Sequence, residues 1–230
     1  MKLILFDIDG TLIRSHGAGR ETLRESLQEI FGTTGPIDTY QMSGKLDTRI
    51  VTDLLMAAGV DQFQIQAKLP DVFQRMSEKG LVIFWEKGMD ACPGVDNLLK
   101  SLKAHENLFI LGLLTGNASK TAPLKLSAAG IAPSQFTVGA YGSDALDRNE
   151  LPAIAMERAS ALTGHTFNGN NTVIIGDTPA DILCARAGKA TAVAVASGWH
   201  ASSTLAKYQP DHLLENLTDT NHVLNILLEE

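Results

Sequence analysis

Apolar residues along the chain fall into two kinds of run. The first kind is short and nearly unbroken: Leu3 to Phe6, Leu108 to Leu114, Phe136 to Ala140, Thr172 to Ile175 and Thr191 to Ala196. A strand apolar on both faces belongs inside a parallel sheet covered on both sides. The second kind recurs at helical spacing, as in Leu98, Leu99 and Leu102, or Leu151, Ile154, Ala155 and Leu162. Gly130 and Gly188 follow helical stretches and suit the left-handed position that ends a helix. Strands alternating with helices predict an α/β fold with a parallel, Rossmann-like sheet.

The first strand breaks the rhythm, because about a hundred residues separate it from the next convincing one. The stretch between is largely helical in pattern. Leu23, Leu27, Ile30 and Phe31 run into Gly32; Ile50, Val51, Leu54, Leu55 and Ala58 run into Gly59; Val72, Phe73 and Met76 suggest a third helix. Phe63, Ile65, Ala67 and Leu69 alternate, which leaves a short strand open there. The expected organisation is an α/β catalytic core of residues 1–14 and 91–230, with an inserted α-helical cap domain of residues 15–90. Gly17 and Gly19 on one side, and Gly88, Pro93 and Gly94 on the other, suit its hinges.

Composition narrows the partners. The chain has 230 residues, 44% hydrophobic and 20% charged, with a formal net charge of -7. That balance argues against nucleic-acid binding, which needs clustered Lys and Arg. It leaves small anionic substrates open, because a bound metal ion reverses the local field. Cys92 and Cys184 have no zinc or redox spacing and read as reduced thiols. The apolar start is short and interrupted by Asp7 and Asp9, and no stretch is long enough to span a bilayer, so no membrane role and a cytoplasmic location are expected.

Four pieces carry candidate chemistry. Asp7-Ile8-Asp9-Gly10-Thr11 follows the first strand, where ligands bind in an open α/β sheet. Asp9 can turn back beside Asp7 because Gly10 permits a tight turn, and two carboxylates so close require a proton or a cation between them. Thr115-Gly116-Asn117 follows the second strand and offers a hydroxyl and free N–H groups to an anion. Gly176-Asp177-Thr178-Pro179-Ala180-Asp181 follows a later strand, with Asp181 one helical turn beyond Asp177. Arg148 lies between the third strand and the next helix. Singly, each has an ordinary reading: a solvated turn, an N-cap, acids serving a helix dipole, a surface arginine. Together they converge on one edge of one sheet, which independent accidents would not produce.

In this order the four pieces resemble the motifs of the haloacid dehalogenase-like superfamily, and the resemblance extends over nearly the whole chain. Gly44-Lys45-Leu46-Asp47 and Pro93-Gly94-Val95 look most like its phosphoglycolate phosphatase-like members. The resemblance implies a phosphoric monoester hydrolase for a small-molecule phosphate ester. Asp7 would be the nucleophile and Asp9 the acid and base. Mg2+ would be held by Asp7, the Asp9 backbone carbonyl, Asp177 and Asp181. Thr115, Arg148, Gly10, Gly116 and Asn117 would hold the phosphoryl group. The third motif is more often Lys, so Lys120 and Lys125 stand as alternatives to Arg148. Lys45, in a loop between two cap helices, is a candidate substrate contact; its ordinary reading is a solvated lysine paired with Asp47. A β-phosphoglucomutase-like phosphomutase is the enzyme alternative, and a non-catalytic phosphate sensor the other. Monomer and homodimer remain open. His16 and His200 follow strand ends and read as surface or packing groups, and Trp85 and Trp199 as packing anchors.

Overall fold

The computed structural model describes residues 1–229 of the chain. Its elements run β1 (Lys2–Phe6), β2 (Ile13–Arg14), α1 (Ala18–Phe31), α2 (Asp47–Ala57), α3 (Gln62–Lys87), β3 (Asp90–Ala91), α4 (Val95–Lys103), β4 (Phe109–Leu114) and α5 (Ala122–Ala128). Then follow β5 (Val138–Ala140), α6 (Leu151–Thr163), β6 (Thr172–Gly176), α7 (Pro179–Ala187), β7 (Thr191–Val195), α8 (Ser202–Leu205), β8 (His212–Leu214) and α9 (Thr220–Leu228). Six strands form one parallel sheet in the order β5-β4-β1-β6-β7-β8. The expected α/β parallel core is thus observed.

The alternation of β1 explains why its run is unbroken. Ile4 and Phe6 enter one apolar cluster with Leu98, Leu99 and Leu102 of α4 and Val223, Ile226 and Leu227 of α9. Leu3 and Leu5 enter the other, with Leu151 and Ala155 of α6 and Ile182 and Ala185 of α7. Successive side chains on a strand point to opposite faces, so a strand sandwiched by helices needs apolar residues at every position. The four β1 residues beyond Lys2 are all buried in this way, and β1 lies between β4 and β6.

Between β2 and β3 the chain forms α1, α2 and α3, which share a third apolar cluster including Leu23, Leu27, Ile50, Leu54, Ile65, Val72 and Met76. A short antiparallel ribbon joins the points of exit and return, pairing Ile13 with Ala91 and Arg14 with Asp90.

Several expectations need correction. The alternating segment Phe63 to Leu69 is helical, within a 26-residue α3. Asp61 caps it by accepting from the Phe63 and Gln64 N–H groups, and Ile65, Leu69, Val72 and Met76 continue a helical stripe that the alternation hid. Gly130 is left-handed as expected, at φ 77°, but Gly188 is right-handed at φ −79°, and Lys189 after it takes the positive φ of 55°. Leu162 is exposed, and the buried face of α6 is Leu151, Ala155, Met156 and Ala159. Trp85 and Trp199 are not packing anchors: they are 64% and 91% exposed. The strand expected from Phe136 begins only at Val138, and β8 and α9 extend the sheet and its cover beyond the runs read from the pattern. Cys92 and Cys184 are buried free thiols. No helix among the described residues is long and apolar enough to cross a membrane.

Candidate active site

Because β4, β1 and β6 are adjacent and parallel, the residues that follow them emerge side by side. Phe6 is in register with Leu113 of β4 and Ile175 of β6. The next residues are therefore Asp7 in the centre, with Thr115 just beyond β4 and Asp177 just beyond β6. The ladder continues into them: the Asp7 N–H donates to the Ile175 carbonyl at 2.9 Å, and the Thr115 N–H to the Ala140 carbonyl at 3.0 Å. Arg148 opens a short 3-10 turn that Asp147 and Glu150 cap reciprocally.

Asp7, Asp177 and Asp181 are all buried and bring carboxylate oxygens within 4.8 Å of one another. Arg148, itself buried, donates to Asp7 at 3.2 Å and to Asp181 at 2.5 Å. Asp181 also accepts from the Thr178 N–H at 3.0 Å and its hydroxyl at 2.7 Å, so the helix cap holds it in place. One guanidinium cannot neutralise three carboxylates. Burial pushes the Asp7 carboxyl up to about 7, helped by the Asp181 charge and opposed by Arg148. Burial and the Asp7 charge likewise raise Asp177 well above the usual carboxylate range. Asp177 Oδ2 is buried without any hydrogen-bond partner. An orphaned oxygen in a crowded set of carboxylates fits a hard cation, which takes oxygen ligands and removes the repulsion.

Asp9 faces another way. Its Oδ2 accepts from Lys125 Nζ and from Asn117 Nδ2, each at 2.7 Å. Burial works to raise this carboxyl, but the Lys125 charge and the hydrogen bonds from Lys125, Asn117 and Ser15 outweigh it and hold it below its ordinary value. The Asp9 side chain therefore stands outside the carboxylate triad. The backbone closes tightly on the site at two glycines. Gly10 has φ 90°, and a Cβ there would lie 2.3 Å from Asp177 Oδ2. A Cβ on Gly116 would lie 2.2 Å from the Lys45 carbonyl oxygen. Asn117 Nδ2 also reaches the Thr115 hydroxyl at 2.9 Å, so Thr115, Gly116 and Asn117 form one polar corner.

A cavity of about 530 Å³ opens above these groups, walled on its far side by residues of the helical insert. The start of α2 is fastened to the sheet loops. The Asp47 N–H donates to the Gly116 carbonyl at 2.7 Å, the Asp47 carboxylate accepts from the Ala118 N–H at 2.8 Å, and the Thr48 hydroxyl donates to the Gly142 carbonyl at 2.6 Å. Burial pushes the Asp47 carboxyl up to about 6, with Lys125 opposing. Sequence reasoning named Asp47 only within the Gly44–Asp47 stretch and as a partner for Lys45, not as a site residue, because its type alone does not distinguish it from any acid in a first helical turn.

The structure separates the basic candidates. Arg148 meets Asp7, Lys125 meets Asp9, and exposed Lys120 leaves the site to donate to Gln74 at 2.6 Å. Lys45 does line the cavity, but its pairing differs from expectation. Its Nζ lies 2.8 Å from the Tyr40 hydroxyl and 4.0 Å from Asp53, not on Asp47, which is engaged with Ala118. His16 is exposed and bonded to Asp90, away from the cavity. His200 lines the cavity and meets the Ser43 hydroxyl at 3.1 Å.

Comparison with known proteins agrees with this arrangement. The family model of haloacid dehalogenase-like hydrolases matches residues 4–195. A phosphoglycolate phosphatase of Vibrio vulnificus (strain CMCP6) is 24% identical over 222 residues, covering 94% of this chain and 93% of its own. Among solved structures, a predicted phosphatase from Clostridium acetobutylicum superposes with a TM-score of 0.71 at 16% identity, covering 97% of this chain and 98% of its own. A predicted phosphoglycolate phosphatase from Haemophilus somnus 129pt gives 0.69 at 20% identity, with 97% and 98% covered. At these identities the structural likenesses speak for the fold.

Proposed function

The chain belongs to the haloacid dehalogenase-like hydrolase family, and on that premise we propose that it is a magnesium-dependent phosphatase acting on a small phosphorylated metabolite. The observation that carries the reading is the buried triad Asp7, Asp177 and Asp181, with one unpartnered oxygen and Arg148 wedged against two of its members. Such a group is too crowded to be a structural salt bridge and is built to accept charge.

In this reading an Asp7 oxygen attacks phosphorus and forms an aspartyl phosphate. The ester oxygen leaves with a proton from Asp9. Water then attacks the acyl phosphate and gives a proton back to Asp9, releasing phosphate and restoring the Asp7 carboxylate. The Lys125 and Asn117 contacts that keep Asp9 ionised suit this second half, in which it acts as base. Arg148 and the Thr115–Asn117 corner hold phosphoryl oxygens as charge redistributes among them. Magnesium, when held by Asp7, Asp177, Asp181 and the Asp9 carbonyl, offsets the repulsion between Asp7 and the phosphate dianion.

Residues 15–90 act as a cap over the core of residues 1–14 and 91–230. The cap excludes water and restricts the substrate to small molecules, with phosphoglycolate the first candidate because of the relative's activity. Lys45 is its candidate contact to the far end of the substrate. The test is release of inorganic phosphate from phosphorylated metabolites and a generic aryl phosphate, with magnesium and with a chelator. Activity restored by magnesium supports the reading. Full activity without metal contradicts it, and conversion of a sugar phosphate to its isomer without phosphate release would make the chain a phosphomutase.

A further inference from the structure

The most exposed large apolar side chain among the described residues, Trp199 at 91%, lines the same cavity as the catalytic carboxylates. Its loop follows β7 and is pinned on both sides. Before it, the buried Ser197 hydroxyl donates to the Gly10 carbonyl at 2.7 Å, and Arg14 donates to the Ser197 carbonyl at 3.3 Å. A Cβ on Gly198 would lie 1.8 Å from Asp177 Oδ2, so the backbone presses directly against the triad. After it, His200 meets Ser43 of the loop between α1 and α2. An indole on a mobile loop can fold back to cover itself. This one is one residue from a backbone clamped against Asp177, and it remains exposed where it lines the cavity.

Resting on the phosphatase reading, and in place of phosphoglycolate as the preferred substrate, we propose that Trp199 is a stacking platform for the leaving group, and that the substrate class is a phosphate monoester bearing a nucleobase, a nucleoside monophosphate. Three observations converge on this. The indole offers a broad flat face and a single N–H donor, which another flat π system complements best. Gln41, Ser43 and His200 line the same cavity and can meet the polar edge of a base, which a plain hydrocarbon ring lacks. The cavity, at about 530 Å³, lies within the roughly 300–1,000 Å³ that encloses ligands much larger than a two-carbon phosphate ester. The loop fixes the place of the indole: Gly198 packs against Asp177, so the next residue stands at the wall of the cavity that holds the carboxylates.

The experiment compares kcat/KM for uridine 5′-monophosphate and ribose 5-phosphate, which share the ribose phosphate and differ at C1′, a base in one and a hydroxyl in the other, in the full chain with magnesium. The wild type is expected to favour the nucleotide by about tenfold, the scale of one base–aromatic stack. Trp199→Ala should bring the two substrates level, mostly through KM for the nucleotide, and Trp199→Phe should keep most of the preference. A wild type indifferent to the base, or Trp199→Ala losing equally on both substrates, overturns the inference. So does a dimer that Trp199→Ala dissociates, which would assign the indole to a second copy. Turnover of p-nitrophenyl phosphate without base preference sinks only this inference. No phosphate release from any of these esters sinks the phosphatase reading with it.

Discussion

The strand-end site and the helical insert use charge in opposite ways. At the strand ends, charged groups are buried and crowded: Arg148 touches two carboxylates, and Asp177 keeps an oxygen without a partner. In the insert, charges are exposed or half-buried and paired along helix surfaces, as in Arg49 with Asp53, Lys79 with Glu25 and Glu29, and Lys87 with Glu21. Exposed pairs contribute little, about 0–1 kcal/mol each. The insert has an apolar cluster of its own, and the start of α2 is hydrogen-bonded to the sheet loops. The difference separates two duties. A rigid sheet can hold like charges in an unfavourable arrangement that a ligand relieves. A helical layer held by apolar packing and surface pairs can move and vary its loops without disturbing that arrangement.

The comparison predicts a descending order of effects. Asp7→Asn should lower phosphate release by several orders of magnitude, the scale of nucleophile removal, because an amide cannot form the acyl phosphate. Its melting temperature should hold or rise, since one of the crowded carboxylates is gone. Arg148→Ala should cost about a hundredfold or more in kcat. It should also destabilise the fold, because Asp7 and Asp181 lose their shared cation. Lys120→Ala, whose side chain lies outside the site, should stay within about twofold of wild type by the rule for surface substitutions. If Lys120→Ala proved the crippling change, the assignment of Arg148 would be wrong.

Next in size is a pH effect on the metal-free protein. Asp7 titrates near 7 in the folded chain against an ordinary 3.8, and Asp47 near 6. Between those values the folded state binds more protons than the unfolded one. The stability these groups contribute is complete below about pH 3.8 and is lost as pH rises through 6 and 7. Asp9, held below its ordinary value, works in the opposite sense and loses its contribution as pH falls. Thermal melts in chelator should therefore fall from pH 5 to pH 7.5, and magnesium should restore the loss at the upper end. A metal-free melting temperature that rises across that range would show that the triad is not strained by charge.

The smallest effect belongs to the insert. Lys45→Ala should lower kcat/KM for the preferred metabolite by up to about tenfold and for an aryl phosphate by less, because only the former uses remote binding energy. Its partners Tyr40 and Asp53 already share the charge. Equal losses on both substrates would remove Lys45 from the selection of substrate.

The same contrast explains how much could be read from the chain. The grouping of Asp7, Thr115 and Asp177 was legible because each follows an apolar strand, with Asp181 one helical turn beyond Asp177, and parallel neighbours bring strand ends together whatever the loops do. Arg148 was legible only by its place in the motif order. Asp47 was not, since its carboxylate joins the site only when α2 docks on Ala118. Lys125 lies within the short helix α5, and its partnership with Asp9 depends on where that helix packs. Trp85 and Trp199 misled because a large apolar residue usually marks a core, and exposure is set by neighbours that sequence spacing does not specify. The segment Phe63 to Leu69 misled for a related reason: its alternation is local, and the helical stripe that overrides it continues beyond it to Val72 and Met76.

The most direct test of the central claim is to trap the intermediate. The full chain would be mixed with a hydrolysable ester and magnesium, quenched in acid within one turnover, and its peptides examined by mass spectrometry. The account predicts one added phosphoryl group on the peptide containing Asp7, absent from Asp7→Asn. Steady phosphate release with no phosphorylated peptide at any quench time, or with the phosphoryl group on another residue, would contradict it.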